Sequence, residues 1–401
     1  MTEARMTDAV LVLNVGSSSV KFALHAMPAL TLICRGSVDA IGTERAKLRV
    51  SGPRADDFAD IEPPRGDHAS VAEWLLGRLA ERMPDVELVA AGHRVVHGGP
   101  VFADPVRVDA HVLEMLEGFV PLAPNHQPAN LAAIRAVARA APGLSQVACF
   151  DTAFHRTQPA HAQAYALPRS MTDEGIVRYG FHGLSYEYLA GVLPELAGAR
   201  ADGRVVIAHL GHGASLCALR ERRSVATTMG FTALDGLVMG TRCGAIDPGV
   251  VLYLMQQKGM TASGVSDLLY NRSGLLGVSG ISDDLRALEA DGGAHAEDAM
   301  DLFAYRAARE IGSLAAALGG LDVLVFSAGI GERSSAMRAR ICAYSAWLGV
   351  ALDVDANVAN RPRIGAAGAP VDVFVIPTNE ELAIARSVRA LLYRASEAPN
   401  G

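Results

Sequence analysis

The 401-residue chain has no apolar run of membrane-spanning length, so an integral helical membrane protein is excluded. The apolar stretch behind the polar start Met1 to Asp8 is too short for a signal-peptide core followed by a cleavage site, and no secretory leader is expected. It also lacks a basic excess: Lys and Arg total 36 against 43 Asp and Glu, the net charge is −7, and no basic cluster stands out. A nucleic-acid partner is therefore not expected, and an anionic substrate has to be met by local arginines. Cysteine is sparse, and the five that occur (Cys34, Cys149, Cys217, Cys243 and Cys342) show neither metal-ligand spacing nor an even disulfide framework. That pattern points to a reducing cytoplasm. No low-complexity linker interrupts the chain.

What is present is an ordinary globular composition, 50% hydrophobic and 20% charged, at a length that fits two hydrophobic cores better than one. Two segments about two hundred residues apart share one design. In the first, the apolar run Ala9 to Leu13 enters Asn14-Val15-Gly16-Ser17-Ser18-Ser19-Val20-Lys21; in the second, Val205 to Ala208 enters His209-Leu210-Gly211-His212-Gly213-Ala214-Ser215. Each turn leads into another strand-like stretch, Val20 to Leu24 and Ser215 to Leu219. Glycine and serine suit the tip of such a hairpin, because they tolerate unusual backbone angles and let amides approach anionic oxygens closely. The repetition suggests a duplicated domain with a nucleotide held between the copies.

Strands are expected over Ala9 to Val15, Val20 to His25, Thr31 to Val38, Lys47 to Ser51, Leu88 to Ala91 and Gln146 to Asp151. Helical periodicity places Val71, Trp74, Leu75, Leu79 and Met83 on one face of a helix His68 to Met83 and predicts a second over Pro128 to Ala141. The second half repeats the scheme: strands Val205 to Leu210, Ser215 to Leu219 and Ser224 to Thr228, a helix Ala296 to Leu318, a buried strand Val323 to Ser327, a final strand Val371 to Ile376, and a helix from Glu381 to Leu392.

Seven segments in series resemble the acetate kinases: Asn14 to Lys21, His93-Arg94-Val95-Val96-His97-Gly98-Gly99, Phe150-Asp151-Thr152-Ala153-Phe154-His155, Tyr179-Gly180-Phe181-His182-Gly183, Gly240-Thr241-Arg242, Ala328-Gly329-Ile330-Gly331-Glu332 and Thr378-Asn379-Glu380-Glu381. The resemblance implies an α/β architecture, the duplicated actin-like two-domain fold of acetate and sugar kinases, heat-shock proteins and actin, with a central nucleotide cleft. It places residues 1–151 plus 381–401 in the first domain and 152–380 in the second, which would carry the dimer interface of a homodimer. The implied reaction is reversible transfer of the ATP γ-phosphoryl group to acetate, giving acetyl phosphate and ADP.

Forming an acyl phosphate brings a carboxylate up to a polyphosphate, so like charges must be neutralised before in-line attack. Arg94 and Arg242 suit this task, since guanidinium stays charged and offers a planar fork to carboxylate or phosphate oxygens. By resemblance, Arg94 binds the substrate carboxylate, His182 and Arg242 stabilise the transition state, and Asp151 holds the acid/base position. Asn14 and Glu380 match the metal positions for Mg2+, with Mn2+ as a substitute. Lys21, the loop His209, Leu210, Gly211, His212 and Gly213, then Asp284, Leu285 and Arg286, and finally Gly329, Ile330, Gly331, Glu332 and Arg333 match the ATP/ADP contacts. Several have a structural alternative: a surface salt bridge for Arg94, a core histidine for His182, a turn for Asn14 or Asp151, a helix lead-in for the run Gly329 to Glu332, and a helix cap for Glu380, whose role Glu381 could exchange.

The chain departs from the family pattern in places. Pro124-Asn125-His126-Gln127-Pro128 puts a polar Asn125 where an apolar pocket residue is usual, and Ala233 stands where proline is normal, while the other wall residues, Val96 and Phe181, are unchanged. His212 and Arg333 replace asparagine and Ala245 replaces aspartate. The substrate set therefore includes propionate or another short carboxylate as an alternative to acetate. An alternative of another class is a non-catalytic ATP-driven clamp, which would not need paired arginines and a histidine.

Overall fold

A computed structural model of the protein describes residues 6–16 and 18–396. Ser17 of the first expected phosphate turn, and both extreme ends of the expected first domain, lie outside the described residues. Contacts divide the chain into two units, one running to Ala153 and resuming at Asn379, the other Phe154–Thr378. Asn379 and Glu380 therefore count with the first unit.

In the first unit the strands are β1 (Thr7–Val15), β2 (Ser19–Ala26), β3 (Thr31–Asp39), β4 (Lys47–Ser51), β5 (Val86–Val95), β6 (Val106–Arg107) and β7 (Ser145–Phe150), ordered β4-β3-β2-β1-β5-β7-β6. The chain builds an antiparallel meander outward from β1, then adds β5 and β7 parallel to it. Alternation along β1 sends Leu11 and Leu13 into one core with Val71, Leu75 and Leu79 of the helix His68–Arg82 and with Met83, the residue that follows it. Asp67 caps that helix by accepting from the Ser70 amide at 2.9 Å. The final helix, Glu380–Ser396, packs on β1 and β5. Gly92 makes room for it: a Cβ there would stand 2.6 Å from Ile384 and 2.7 Å from Val388.

The second unit carries β8 (Val205–Leu210), β9 (Ala214–Arg220), β10 (Arg223–Thr227), β11 (Val323–Ser327) and β12 (Asp372–Val375), ordered β10-β9-β8-β11-β12. Again a meander is followed by two parallel additions, so the strand order of the first five principal strands is the same in both units. This is the duplicated actin-like α/β fold. Helix Gly183–Ala197 covers one face through Tyr186, Leu189 and Leu193 against Ile207, Cys217 and Val325, and helix Ala294–Leu318 packs on β9 and β10. All five cysteines are free, and among the described residues no helix is long and apolar enough to cross a membrane.

The expected elements all form, with ends shifted by a few residues. Helix Gly183–Ala197 was not legible, because it contains Pro194 and starts at His182, whose backbone is left-handed at φ 61° and offers no side-chain cap. The cap of the last helix is Asn379, whose Oδ1 accepts from the Leu382 amide at 3.0 Å, and not Glu380.

Candidate active site

Sheet register builds the first cluster. Asn14 on β1 lies directly across from Lys21 on β2, and Arg94 follows the residue of β5 that pairs with Leu13, so the three share a row of neighbouring strands. Asp151, just beyond β7, receives Arg94: Nε donates to its two oxygens at 3.1 and 3.0 Å, and Nη2 donates at 2.6 Å. Arg94 Nη1 also donates to Asn14 Oδ1 at 3.1 Å, and Asn14 Nδ2 donates to Glu380 at 3.0 Å and to Glu381 at 3.4 Å. Asn14 thus bridges the guanidinium to two carboxylates at the start of the last helix.

The Arg94–Asp151 pair is largely out of water, with 18% and 2% of the side chains exposed. Burial opposes the Arg94 charge, but Asp151 beside it more than restores that charge and holds the guanidinium above its usual value. Burial likewise raises the Asp151 carboxyl, against the opposite pull of Arg94. The surface salt bridge envisaged for Arg94 is in fact a buried one. Lys21 is exposed on the same sheet.

In the second unit, three of the expected residues come together at the tip of the β8–β9 hairpin. The turn is closed by Gly211 N donating to Gly213 O at 3.1 Å. A Cβ built on Gly213 would lie 3.4 Å from His182 Nε2 and 3.7 Å from Arg242 Nη1, so both side chains converge on that glycine. Arg242 Nη1 is anchored on the Ala233 carbonyl at 2.9 Å. His182 hydrogen-bonds Ser215 Oγ through Nδ1 at 2.9 Å and stacks on His209, ring centroids 4.3 Å apart. His209 in turn hydrogen-bonds Ser185 at 2.8 Å.

Beside the hairpin is a cleft of about 390 Å³ lined by Gly211, His212, Asp283, Asp284, Leu285, Arg286, Glu289, Gly329, Ile330, Arg333 and Ser334. Its size suits a small ligand. The loops expected to hold a nucleotide therefore gather on one cavity. His212 reaches across to Asp283 at 2.9 Å, and Asp284 pairs with Arg286 while capping the helix Leu285–Asp291. Glu332 does not face the cleft through its carboxylate, which accepts from the Ala328 amide at 2.9 Å and the Thr378 amide at 3.1 Å.

Of the four wall residues, Val96 is buried and Asn125 lies in an exposed turn of the first unit; in the second, Phe181 is buried and Ala233 is half-buried. Leu210 is fully buried and Gly331 nearly so, leaving them backbone roles. Sequence reasoning missed Asp283, Glu289 and Ser334 in the cleft, and the buried hydroxyls of Ser185 and Ser215. Ser215 ends the glycine-rich turn and was within reach; Ser185 carried no signal.

A profile of the acetokinase family matches residues 9–386. The chain belongs to the acetokinase family. Within it, the chain is 55% identical over 391 residues to an acetate kinase of Rhodopseudomonas palustris, an alignment covering 96% of this chain and 98% of the relative. Among solved structures, an acetate kinase of Porphyromonas gingivalis superposes with a TM-score of 0.86 at 38% identity, covering 96% of this chain and 100% of that one. A propionate kinase of Francisella tularensis superposes with a TM-score of 0.88 at 36% identity, covering 95% and 98%. Asn14, Arg94, Asp151, His182, Arg242 and Glu380, expected from the resemblance to hold the site, fall in the two clusters described. The departures His212 and Arg333 both line the cleft.

Proposed function

We propose that the chain catalyses reversible transfer of the ATP γ-phosphoryl group to acetate, giving acetyl phosphate and ADP. The observation that carries the reading is the approach of His182 Nε2 and Arg242 Nη1 to Gly213 at the tip of a glycine-rich hairpin. A phosphoryl group resting on that tip meets a fixed positive charge and an imidazole edge, the donors needed where charge spreads over its equatorial oxygens. Arg94 serves the acceptor carboxylate. Asp151 holds the Arg94 guanidinium in one orientation, and the remaining Nη1 edge, now on Asn14, is the part of the fork that can turn to substrate. The cleft lined by Asp283 to Arg286 and by Gly329, Ile330 and Arg333 takes the nucleoside. Gly329 favours this, since it lines the cleft and a Cβ there would meet no protein atom within 4 Å.

Magnesium fits the residues at Asn14, because Glu380 and Glu381 present carboxylates to its carboxamide edge. Among the described residues no group of three or more His, Cys, Asp or Glu side chains could cage a metal alone. A hard cation that keeps several waters and binds phosphate oxygens suits such a sparse donor set. When bound, the ion neutralises polyphosphate charge. Glu380 is assigned to it through the first turn of the last helix.

The chain is assigned to the cytoplasm, in keeping with its five free thiols. A homodimer is supported by helix Pro248–Gln256, on which Val250, Leu252, Tyr253 and Met255 are exposed. Propionate is a second acceptor, favoured by the small Ala233 side chain and by the likeness to a propionate kinase. The deciding assay is acyl-hydroxamate formation from ATP with acetate, propionate or no acid. ATP hydrolysis that is slow and indifferent to carboxylate would replace this reading with an ATP-driven clamp.

A further inference from the structure

Thr378 belongs to one of the family-like segments, yet the chemistry above gives it no task. It lies at the end of the chain path from β12 and is tied at two points. Its amide donates to Glu332 at 3.1 Å, the same carboxylate oxygen that accepts from the Ala328 amide at the nucleotide loop. Its hydroxyl shares a hydrogen bond of 2.7 Å with Ser185 Oγ, which shares another of 2.8 Å with His209 Nδ1. His209 lies flat against His182, with 19° between the ring planes.

His182 has a constrained setting of its own. Its backbone is left-handed, a conformation that costs a non-glycine residue free energy and persists only when neighbours hold it. Ser215, itself bonded to the Tyr186 hydroxyl at 2.5 Å, fixes the ring edge at Nδ1, and His209 fixes the face. Ser185 is fully buried and His209 nearly so, so the bond between them is shielded from competing water, while Thr378 at the outer end is half-buried. Rotation of the His209 ring is therefore limited by Ser185, and Ser185 by Thr378.

We propose that Thr378 is a positioning residue for His182. Acting through Ser185 and His209, it fixes the imidazole that faces the phosphoryl group; through its amide and Glu332, it ties that imidazole to the loop at Ala328. The inference rests on the catalytic reading of His182. Thr378→Val keeps side-chain volume and the backbone amide but loses the hydroxyl, so it loosens the stack without touching either substrate.

The test compares Thr378→Val, Thr378→Ser, Ser185→Ala, the Thr378→Val/Ser185→Ala pair and His182→Ala by hydroxamate formation, with thermal unfolding of each. A misplaced reacting group loses rate steeply, so Thr378→Val should lower kcat roughly 10-fold while leaving both KM values within about twofold. Thr378→Ser should restore kcat to within about twofold of the parent, and the double variant should be no slower than the slower single, since both break one relay. Parental kcat in Thr378→Val, no rescue by serine, or additive losses in the pair would overturn the proposal. So would a loss in Thr378→Val that tracks a lowered melting temperature and is absent from Ser185→Ala. His182→Ala separates the two readings. A large loss there beside a parental Thr378→Val sinks the positioning role alone, whereas parental turnover in His182→Ala sinks the catalytic reading and the positioning role with it.

Discussion

Replacing Arg94 with alanine should damage stability as well as turnover, because it strands Asp151. That carboxylate is 2% exposed and takes three of its hydrogen bonds from Arg94. Breaking a buried pair by removing one partner typically costs about 3–5 kcal/mol. Arg94 itself retains 18% exposure, so water can enter the space it leaves, and the lower end, about 3 kcal/mol, applies. For a unit of this size that corresponds to a fall in Tm of roughly 6–12 °C. Turnover should fall by on the order of 100- to 1000-fold, as for loss of one preorganised charge-stabilising donor. Arg94→Lys can reach one Asp151 oxygen but lacks the fork, so it should recover part of the stability and little of the rate. Adding Asp151→Asn to Arg94→Ala removes the stranded charge and should raise Tm again without restoring activity. Differential scanning calorimetry and hydroxamate kinetics on the four proteins check this. An Arg94→Ala variant melting within about 2 °C of the parent would refute the buried-pair argument, and one with near-parental kcat at saturating substrate would remove Arg94 from the chemistry.

The remaining expectations concern the metal, the acceptor and acid. Glu380→Gln should weaken magnesium-dependent turnover and be partly rescued by raised magnesium, with Glu381→Gln less affected in keeping with its longer contact to Asn14; equal sensitivity in a magnesium titration would undo the assignment. Asn125→Leu with Ala233→Pro should shift the propionate-to-acetate ratio of kcat/KM toward acetate by up to about 1–3 kcal/mol, and proline keeps the carbonyl that anchors Arg242; an unchanged ratio would mean these positions do not set acceptor size. His93 and His155 are both held down to about 4 by burial, opposed in His155 by its bond to the Phe181 carbonyl. Since unfolding frees them to bind protons, stability present above about pH 6.5 should be lost progressively as pH falls toward 4, by up to about 3 kcal/mol per histidine. His155→Gln should flatten that dependence in a Tm-against-pH series, and parallel curves for the two proteins would exclude His155 as its source.

The sequence alone determined the elements with strong local signals. Continuous apolar runs ending in glycine-rich turns mark β1 with β2 and β8 with β9, and periodic Val71, Leu75, Leu79 and Met83 mark a helix, because these patterns depend only on residue spacing. Residue type and order also picked out Arg94, Asp151, His182 and Arg242. Only the tertiary structure decided what those side chains touch. The tertiary structure sets Asn14 beside Arg94 across 80 residues through strand register, and brings Glu380 to Asn14 across 366 by packing the last helix on β1 and β5, separations that no local rule spans. It also decided the contest over capping in favour of Asn379, turned the Glu332 carboxylate onto two backbone amides, and placed Ser185 and Thr378 behind His209. A helix cap or a buried hydroxyl has several candidate partners within a few residues, and packing of distant chain selects one. That choice is made by long-range burial, which leaves no periodic trace in the sequence.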